Sequence, residues 1–461
     1  MAQRSSRHGS GPNPRRIRNL ADLGRELDLL RARAAVGTMK AKVSLETLAG
    51  LVRLPRSTLH SYLSGQTLVP SEVLDRIVLA LGADPAEQRE WNEAWYRLHA
   101  GPPAQPPPTG AQPAGFCPPP VPRGFTGRAA ELAELDCLAD NNFDGAGPVI
   151  AAVCGAPGVG KTGLVLRWAH RARDRFPDGC LYLDLRGYGP EYALPAADAV
   201  AVLLGILAPD EPIAGDATVR TARYRSKLDG RRVLVLLDNA SCAEQVRPLL
   251  PGAGPGMVVV TSRDDLAGLV ARDGAHRLEL GVLPLPDALS LLDTVLGADR
   301  MAADRRSATD LVQRCGRLPL AIRVAAELVG SRLPVSLADV AGAGRPLDWL
   351  AAGGDVRTGL RAAFSWSYHR LERHDPDAAR AFRLLGRHPG TDFTAATVVA
   401  LSGADQHRSR ELIDTLLRAH LIEPSATDAH RFRMHCLLQA YARELAAAVA
   451  DQENGGGVRG G

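Results

Sequence analysis

Val149 to Cys154 is an apolar run that hands over to Gly155-Ala156-Pro157-Gly158-Val159-Gly160-Lys161-Thr162, a Gly-x-x-x-x-Gly-Lys-Thr spacing. The chemistry this pattern suits is a cradle for phosphate. Gly155, Gly158 and Gly160 lack a Cβ, so the backbone can close around an anion with its N–H groups pointing inward. Lys161 is placed to reach the terminal phosphates and Thr162 to offer a hydroxyl to Mg²⁺. The helix expected from Gly163 to Arg175 favours an anion at its start. The chain has only four lysines, Lys40, Lys42, Lys161 and Lys227. An ammonium kept here, where arginine is used almost everywhere else, supplies a compact point charge in place of a planar fork. The plain alternative is a glycine-rich turn that matches by accident.

A strand must deliver that loop, and the neighbouring pattern supplies the sheet. Cys180 to Leu185, Val233 to Asp238, Val258 to Arg263 and His276 to Leu280 read as further strands, with helices at Ala129 to Asp140, Ala196 to Leu207 and Thr218 to Leu228. Apolar runs alternating with helices predict an α/β fold with a parallel sheet, whose ligands gather at the carboxyl ends of the strands. Asp238 and Arg263 lie at two such ends, and Asp238 is placed to share the Mg²⁺ shell with Thr162. Asn239 stands where many ATPases carry a second acid. With no evident general base, hydrolysis is expected to be slow at best, so whether the chain is an enzyme stays open.

The first hundred residues predict an all-α bundle. Leu20, Leu23, Leu27 and Leu30 recur at helical spacing, Ser44 caps a second helix, and Arg56 to Ser64 forms a third, closed by Gly65. Ser71 to Leu81 makes a fourth, and Trp91, Trp95 and Leu98 mark another, read as packing surface. Two short helices joined at Arg53-Leu54-Pro55 have the layout of a helix-turn-helix. The stretch Leu54 to Leu59 resembles the Cro/phage-repressor class. Leu59 and Leu63 are expected to pack inward, with Arg56, Ser57, Thr58, His60 and Ser61 facing DNA. Arg53 departs from the glycine often found in that turn.

The charge agrees with this placement. Residues 1–60 hold twelve basic against four acidic side chains, whereas residues past 100 are nearly balanced, which favours an anionic partner at the N-terminal end. The seven cysteines are scattered with no C-x-x-C pair; no disulfide framework or zinc ribbon is expected, and a reducing cytoplasm is. No apolar run approaches the length of a membrane span, and the basic N-terminus lacks a signal-peptide core, so no membrane partner is expected.

The order Phe125-Thr126-Gly127-Arg128, the phosphate loop, Val235-Leu236-Leu237-Asp238-Asn239, Thr261-Ser262-Arg263 and Cys315-Gly316-Arg317-Leu318-Pro319-Leu320-Ala321 resembles an NB-ARC domain over residues 123 to 446. Such domains belong to signal-transduction ATPases of the STAND class, which include bacterial antibiotic-pathway regulators. The resemblance implies a P-loop sheet, a helical domain and a winged helix that closes over ATP or ADP. It implies that Gly127 and Arg128 lie along the adenine, Arg263 senses the γ-phosphate, Pro319 packs against the base, and His435 contacts the β-phosphate of ADP. Arg317 replaces the glycine of the Gly-Leu-Pro-Leu motif, and Cys436 replaces the acid of Met-His-Asp.

The expected organisation is a disordered basic tail (1–18), a helix-turn-helix domain (19–100), a Pro-rich linker (101–123), a P-loop domain (124–283), a helical ARC domain (284–353), a winged helix (354–448) and a flexible tail (449–461). Helices at Asp377 to Leu385, Thr394 to Leu401 and Arg408 to Arg418, then two short strands, make up the winged helix. The reading that results is an ADP/ATP-switched, DNA-binding transcriptional regulator, with homo-oligomerisation and a separate sensor protein as expected partners. A signalling scaffold whose N-terminal bundle recruits protein is the alternative, and a working ATPase motor a third.

Overall fold

A computed structural model describes residues 12–35, 41–52, 54, 56–64, 69, 71–99, 118–140, 147–189, 193–331, 336–342, 344, 346–350, 359–425 and 428–456. Lys40, Arg53, Pro55, Gly65, the Ser57 side chain and most of the expected linker and outer tails lie outside the described residues. The chain divides into two compact units, Met1–Gly110 and Ala111–Gly461.

The first unit packs helices Leu20–Arg33, Leu45–Val52, Arg56–Leu63, Ser71–Ala80 and Pro85–His99 around Leu23, Leu27, Leu30, Leu48, Val52, Leu59, Ile77 and Trp91. Ser44 caps the second helix, its Oγ accepting from the Thr47 N–H at 3.0 Å. Trp91 and Trp95 are core residues, and the Trp95 indole donates to the Val69 carbonyl. The expectation of a disordered tail through residue 18 is corrected. Pro14–Arg16 forms a 3-10 turn, Ile17 is buried in the core, and the Asn13 N–H donates to the buried carboxylate of Glu26. One apolar side chain in a polar stretch suffices to anchor it, because burying an isoleucine contributes about 2 kcal/mol.

The second unit begins on an all-parallel sheet of β1 (Val149–Gly155), β2 (Cys180–Asp184), β3 (Leu234–Ala240), β4 (Met257–Ser262) and β5 (His276–Leu280), in the order β2-β3-β4-β1-β5. Each central strand feeds two cores. Ala151 and Val153 of β1 face one side, and Ile150, Ala152 and Cys154 the other, which is why the strands read as unbroken apolar runs. The helix after the phosphate loop is Lys161–Arg171, shorter than expected, followed by a 3-10 turn at Arg173–Arg175.

Helices Leu285–Leu296, Arg305–Arg314 and Pro319–Ser331 form the helical layer. The winged helix follows as Leu360–His374, Pro376–Leu385, Ala395–Ser402 and Gln406–Arg418, then strands and a final helix, Cys436–Gly456. Its sheet has three strands, not two: β6 (Asp392–Thr394), β7 (Glu423–Pro424) and β8 (Arg431–Arg433), ordered β6-β8-β7 and antiparallel. One apolar core runs without a break from Val153 through Leu311 and Ile322 to Phe364 and Leu416, so the winged helix is closed on the rest of the unit.

Two boundaries differ from expectation. The last helix continues to Gly456 instead of giving way to a tail at 449, carried by the helix-forming run Ala446-Ala447-Ala448. Residues 118–123, expected to be linker, dock on the second unit: Pro118 is buried, and the Pro119 carbonyl meets His170 Nε2 at 2.9 Å. Among the described residues, no helix is long and apolar enough to cross a membrane.

Candidate functional site

The phosphate loop leaves β1 with three left-handed glycines, Gly155 (φ +148°), Gly158 (φ +79°) and Gly160 (φ +98°). The demand is steric as well as conformational. A Cβ on Gly155 would run into the Leu280 carbonyl at 2.6 Å, and one on Gly158 would press Leu320 at 3.0 Å. Lys161 opens the helix and folds back on the loop, its Nζ donating to the carbonyls of Gly155 (2.7 Å) and Ala156 (2.9 Å). Burial, with the Arg263 charge second, lowers its pKa to about 7.

Asp238 sits at the end of β3, 9% exposed. Three hydroxyls hold it: Thr162 donates at 2.8 Å, Thr261 at 2.5 Å and Tyr182 at 3.2 Å. Burial raises its pKa, and these donors only partly offset that. A buried carboxylate beside a threonine hydroxyl is a pair of hard oxygens suited to Mg²⁺. Thr261 and Tyr182 went unassigned at the sequence level; Thr261 was visible only as a polar strand tip.

Asn239 takes a left-handed backbone (φ +58°) at a register shift between β3 and β4. Its N–H donates to Thr261 Oγ1, and its amide donates to the Tyr188 carbonyl at 3.0 Å. The side chain is therefore occupied in holding the Tyr188 loop.

Arg263, at the end of β4, reaches the winged helix. Its guanidinium donates to the Ala363 carbonyl at 2.5 Å and to Ser367 Oγ at 3.1 Å, both on Leu360–His374. It lies between the rings of Tyr188 and Trp366, 5.0 and 5.7 Å from their centroids. Burial lowers its pKa to about 10, so it stays charged at neutral pH. The sequence reading found Arg263 but none of these partners.

Pro319 and Leu320 cover the loop from the helical layer. The Leu320 N–H donates to the Gly158 carbonyl at 3.2 Å, and Pro319 stands next to Gly160. The turn leading into Leu318 and Pro319 is left-handed at two successive residues, Gly316 at φ +60° and Arg317 at φ +57°. A left-handed backbone at Arg317 is one that glycine would take without strain. His435 Nε2 meets the Gly316 carbonyl at 3.0 Å, tying the winged helix to the same turn. Burial lowers the His435 pKa. Cys436 is exposed at the start of the last helix.

Arg128 does not reach outward. It is left-handed (φ +65°) and buried, with its guanidinium donating to the carbonyls of Val159 and Gly281 and to Glu131. What it leaves for a ligand is backbone. At neighbouring Gly127 (φ +68°) a Cβ would strike the Asp287 carboxylate. Lys161, Thr162, Asp238 and Arg263 thus come together at the carboxyl edge of the sheet, with Pro319 above the loop and His435 on the lid.

In the first unit, helices Leu45–Val52 and Arg56–Leu63 are three residues apart in the sequence. Leu59 and Leu63 are buried, Arg56 and His60 are exposed, and Thr58 and Ser61 are half-buried.

A helix-turn-helix domain family matches residues 22–91. The chain is 41% identical to the regulatory protein AfsR of Streptomyces griseus over 326 residues, 70% of this chain and 32% of that protein. It is 40% identical to AfsR of Streptomyces coelicolor over 344 residues, 73% of this chain and 34% of that one. An HTH-type transcriptional regulator of Mycobacterium tuberculosis is 31% identical over 278 residues, covering 56% of this chain and 29% of its own length. The chain spans about a third of the length of these curated relatives. It carries a helix-turn-helix domain and is homologous to AfsR regulatory proteins.

Proposed function

We propose that the chain is a DNA-binding transcriptional regulator switched by ADP and ATP, with hydrolysis too slow to be its purpose. The observation that carries this reading is the double hold of the winged helix on the phosphate loop's surroundings. Arg263 is bound by Ala363 and Ser367, and His435 is bound to Gly316. Residues suited to sensing phosphate are thus the same ones that clasp the lid. A nucleotide that recruits Arg263 to its γ-phosphate must release Leu360–His374; ADP makes no such demand, and ADP is the ligand of the closed form.

Thr162 and Asp238 would hold Mg²⁺, which supplies positive charge between the phosphate oxygens. Their contact at 2.8 Å and the burial of Asp238, with only hydroxyls on its carboxylate among the described residues, fit that role. Lys161 exchanges the loop carbonyls for phosphate. Arg56, Ser57, Thr58, His60 and Ser61 face DNA, and nucleotide-dependent self-association of two such units raises avidity without new contacts.

The test is to identify the nucleotide in freshly purified protein and compare duplex binding with ADP and with a non-hydrolysable ATP analogue. Tighter binding with the analogue supports the switch, and equal binding refutes it. The scaffold reading draws on Leu51 and Leu79, which are 60% and 48% exposed on the N-terminal bundle. Absence of duplex binding at low salt, where phosphate contacts are strongest, would favour it.

A further inference from the structure

A cavity of about 860 Å³ lies between the phosphate loop and the winged helix. Ala156 and Val159 of the loop line it, as do Arg277 on β5 and His420 and His435 from the winged helix. Two nitrogen atoms on these walls, Arg277 Nε and His420 Nε2, are buried with no hydrogen-bond partner. Buried polar atoms left unpaired are uncommon and ask for a ligand or a functional reason.

His420 has a second peculiarity. It follows the helix Gln406–Arg418 with φ +49°. Its N–H donates to the Leu417 carbonyl at 2.9 Å, and that of Leu421 to Leu416 at 3.0 Å. This pair of bonds is the left-handed helix ending in which glycine is the favoured residue. A histidine in this place strains the backbone, and its Nε2 returns no bond to the helix carbonyls. Strain of this kind persists where a site requires the side chain.

The surroundings define the ligand chemistry. Burial, with the charges of Lys161 and Arg277 behind it, lowers the His420 pKa to about 4, so the ring is neutral before a ligand arrives. Asp265 and Glu279 stand 3.7 and 3.8 Å from the two Nη atoms of Arg277, at ion-pair distance, and its Nε is buried without a hydrogen-bond partner. Arg277 Nε and the His420 ring, beside the phosphate loop and in the field of Lys161, suit an anionic ligand held against the carboxylates of Asp265, Glu279 and Glu423 on the same wall.

We propose that Arg277 and His420 contact the phosphates of the bound nucleotide from the side opposite the loop, in the closed form. This rests on the reading that the loop binds nucleotide. Because His420 belongs to the winged helix, its contact exists only while the lid is shut, and it gives the diphosphate a differential affinity for that state.

The test uses the full chain and compares ADP with adenosine, which lacks the phosphates, for wild type, His420→Gly, Arg277→Gln and Lys161→Ala. Glycine suits the left-handed position, so His420→Gly is expected to melt no lower than wild type. It should nevertheless weaken ADP about tenfold and leave adenosine binding unchanged. Arg277→Gln should move ADP in the same direction. Unchanged ADP affinity in His420→Gly while Lys161→Ala loses it overturns the proposal and leaves the nucleotide site standing. Equal loss of adenosine and ADP also overturns it, since the effect would then be structural. If wild type binds ADP no better than Lys161→Ala, both the proposal and the reading beneath it fall.

Discussion

Ser367→Ala isolates one strand of the hold on Arg263. Ser367 is 3% exposed, and its hydroxyl accepts from the guanidinium at 3.1 Å. A hydrogen bond with a charged partner contributes about 1.5 kcal/mol net, and its removal leaves part of a buried cation unsatisfied. Alanine is a better helix former than serine, so Leu360–His374 itself gains a few tenths of a kcal/mol. The variant therefore loosens the clasp without weakening the helix. If ADP leaves only after the lid opens, about 1.5 kcal/mol is roughly a tenfold faster release. Trp366→Phe retains a ring over Arg263 and should accelerate release by less than about threefold, as phenylalanine is the weaker cation–π partner. The assay is stopped-flow release of a fluorescent ADP chased by excess ATP, with melting temperature measured alongside. An unchanged release rate in Ser367→Ala, with melting preserved, would show that the Arg263 contact does not gate the nucleotide.

Three further outcomes are expected. Lys161 has a pKa near 7 in the free protein; phosphate must raise it, so ADP binding at about pH 8 should take up roughly one proton, and affinity should fall as pH rises above that value. Calorimetry in buffers of different ionisation enthalpy measures the uptake, and a value of zero contradicts the lysine's role. Cys436→Asp puts a carboxylate in the first turn of Cys436–Gly456, where the helix dipole adds about 0.3–1 kcal/mol. ADP release should slow by about two- to fivefold in the same stopped-flow assay, and an unchanged rate refutes the link. Asn239→Asp removes the donor to the Tyr188 carbonyl and sets a second carboxylate against Asp184, whose Oδ1 is 3.4 Å away. It should lower stability by about 1–3 kcal/mol in thermal melts with no gain in phosphate release; a tenfold gain would show that the new acid turns toward the phosphates.

The sheet was legible because its chemistry is local. Strand β1, and β3 up to Asp238, are buried on both faces and so read as apolar runs, and the loop glycines answer positive φ at their own positions. Ser44 and the buried face of Arg56–Leu63 were legible for the same reason. The partners of Arg263 were not, since Ala363 and Ser367 lie a hundred residues away on a helix whose pattern records only its packing face. Strand β6 is three residues long and exists because β8 pairs with it, too short for any alternation to register. His420 drew no reading from the sequence, because a left-handed φ leaves little mark in residue type unless the residue is glycine.

That last case bears on the whole latch. His435 and Gly316 interlock so closely that a Cβ on Gly316 would collide with the imidazole, so one end of the lid is held by shape. At the other end Arg263 is held by charge and rings, which a phosphate can outbid. On the proposed switch, the Gly316 contact sets where the lid closes, and the Arg263 contact sets how readily ATP opens it. In a two-state lid, a variant that loosens it weakens ADP and strengthens ATP, by factors set by how populated the closed form is. Measuring both nucleotides on Ser367→Ala therefore separates a gate from a damaged site, because damage weakens the two together.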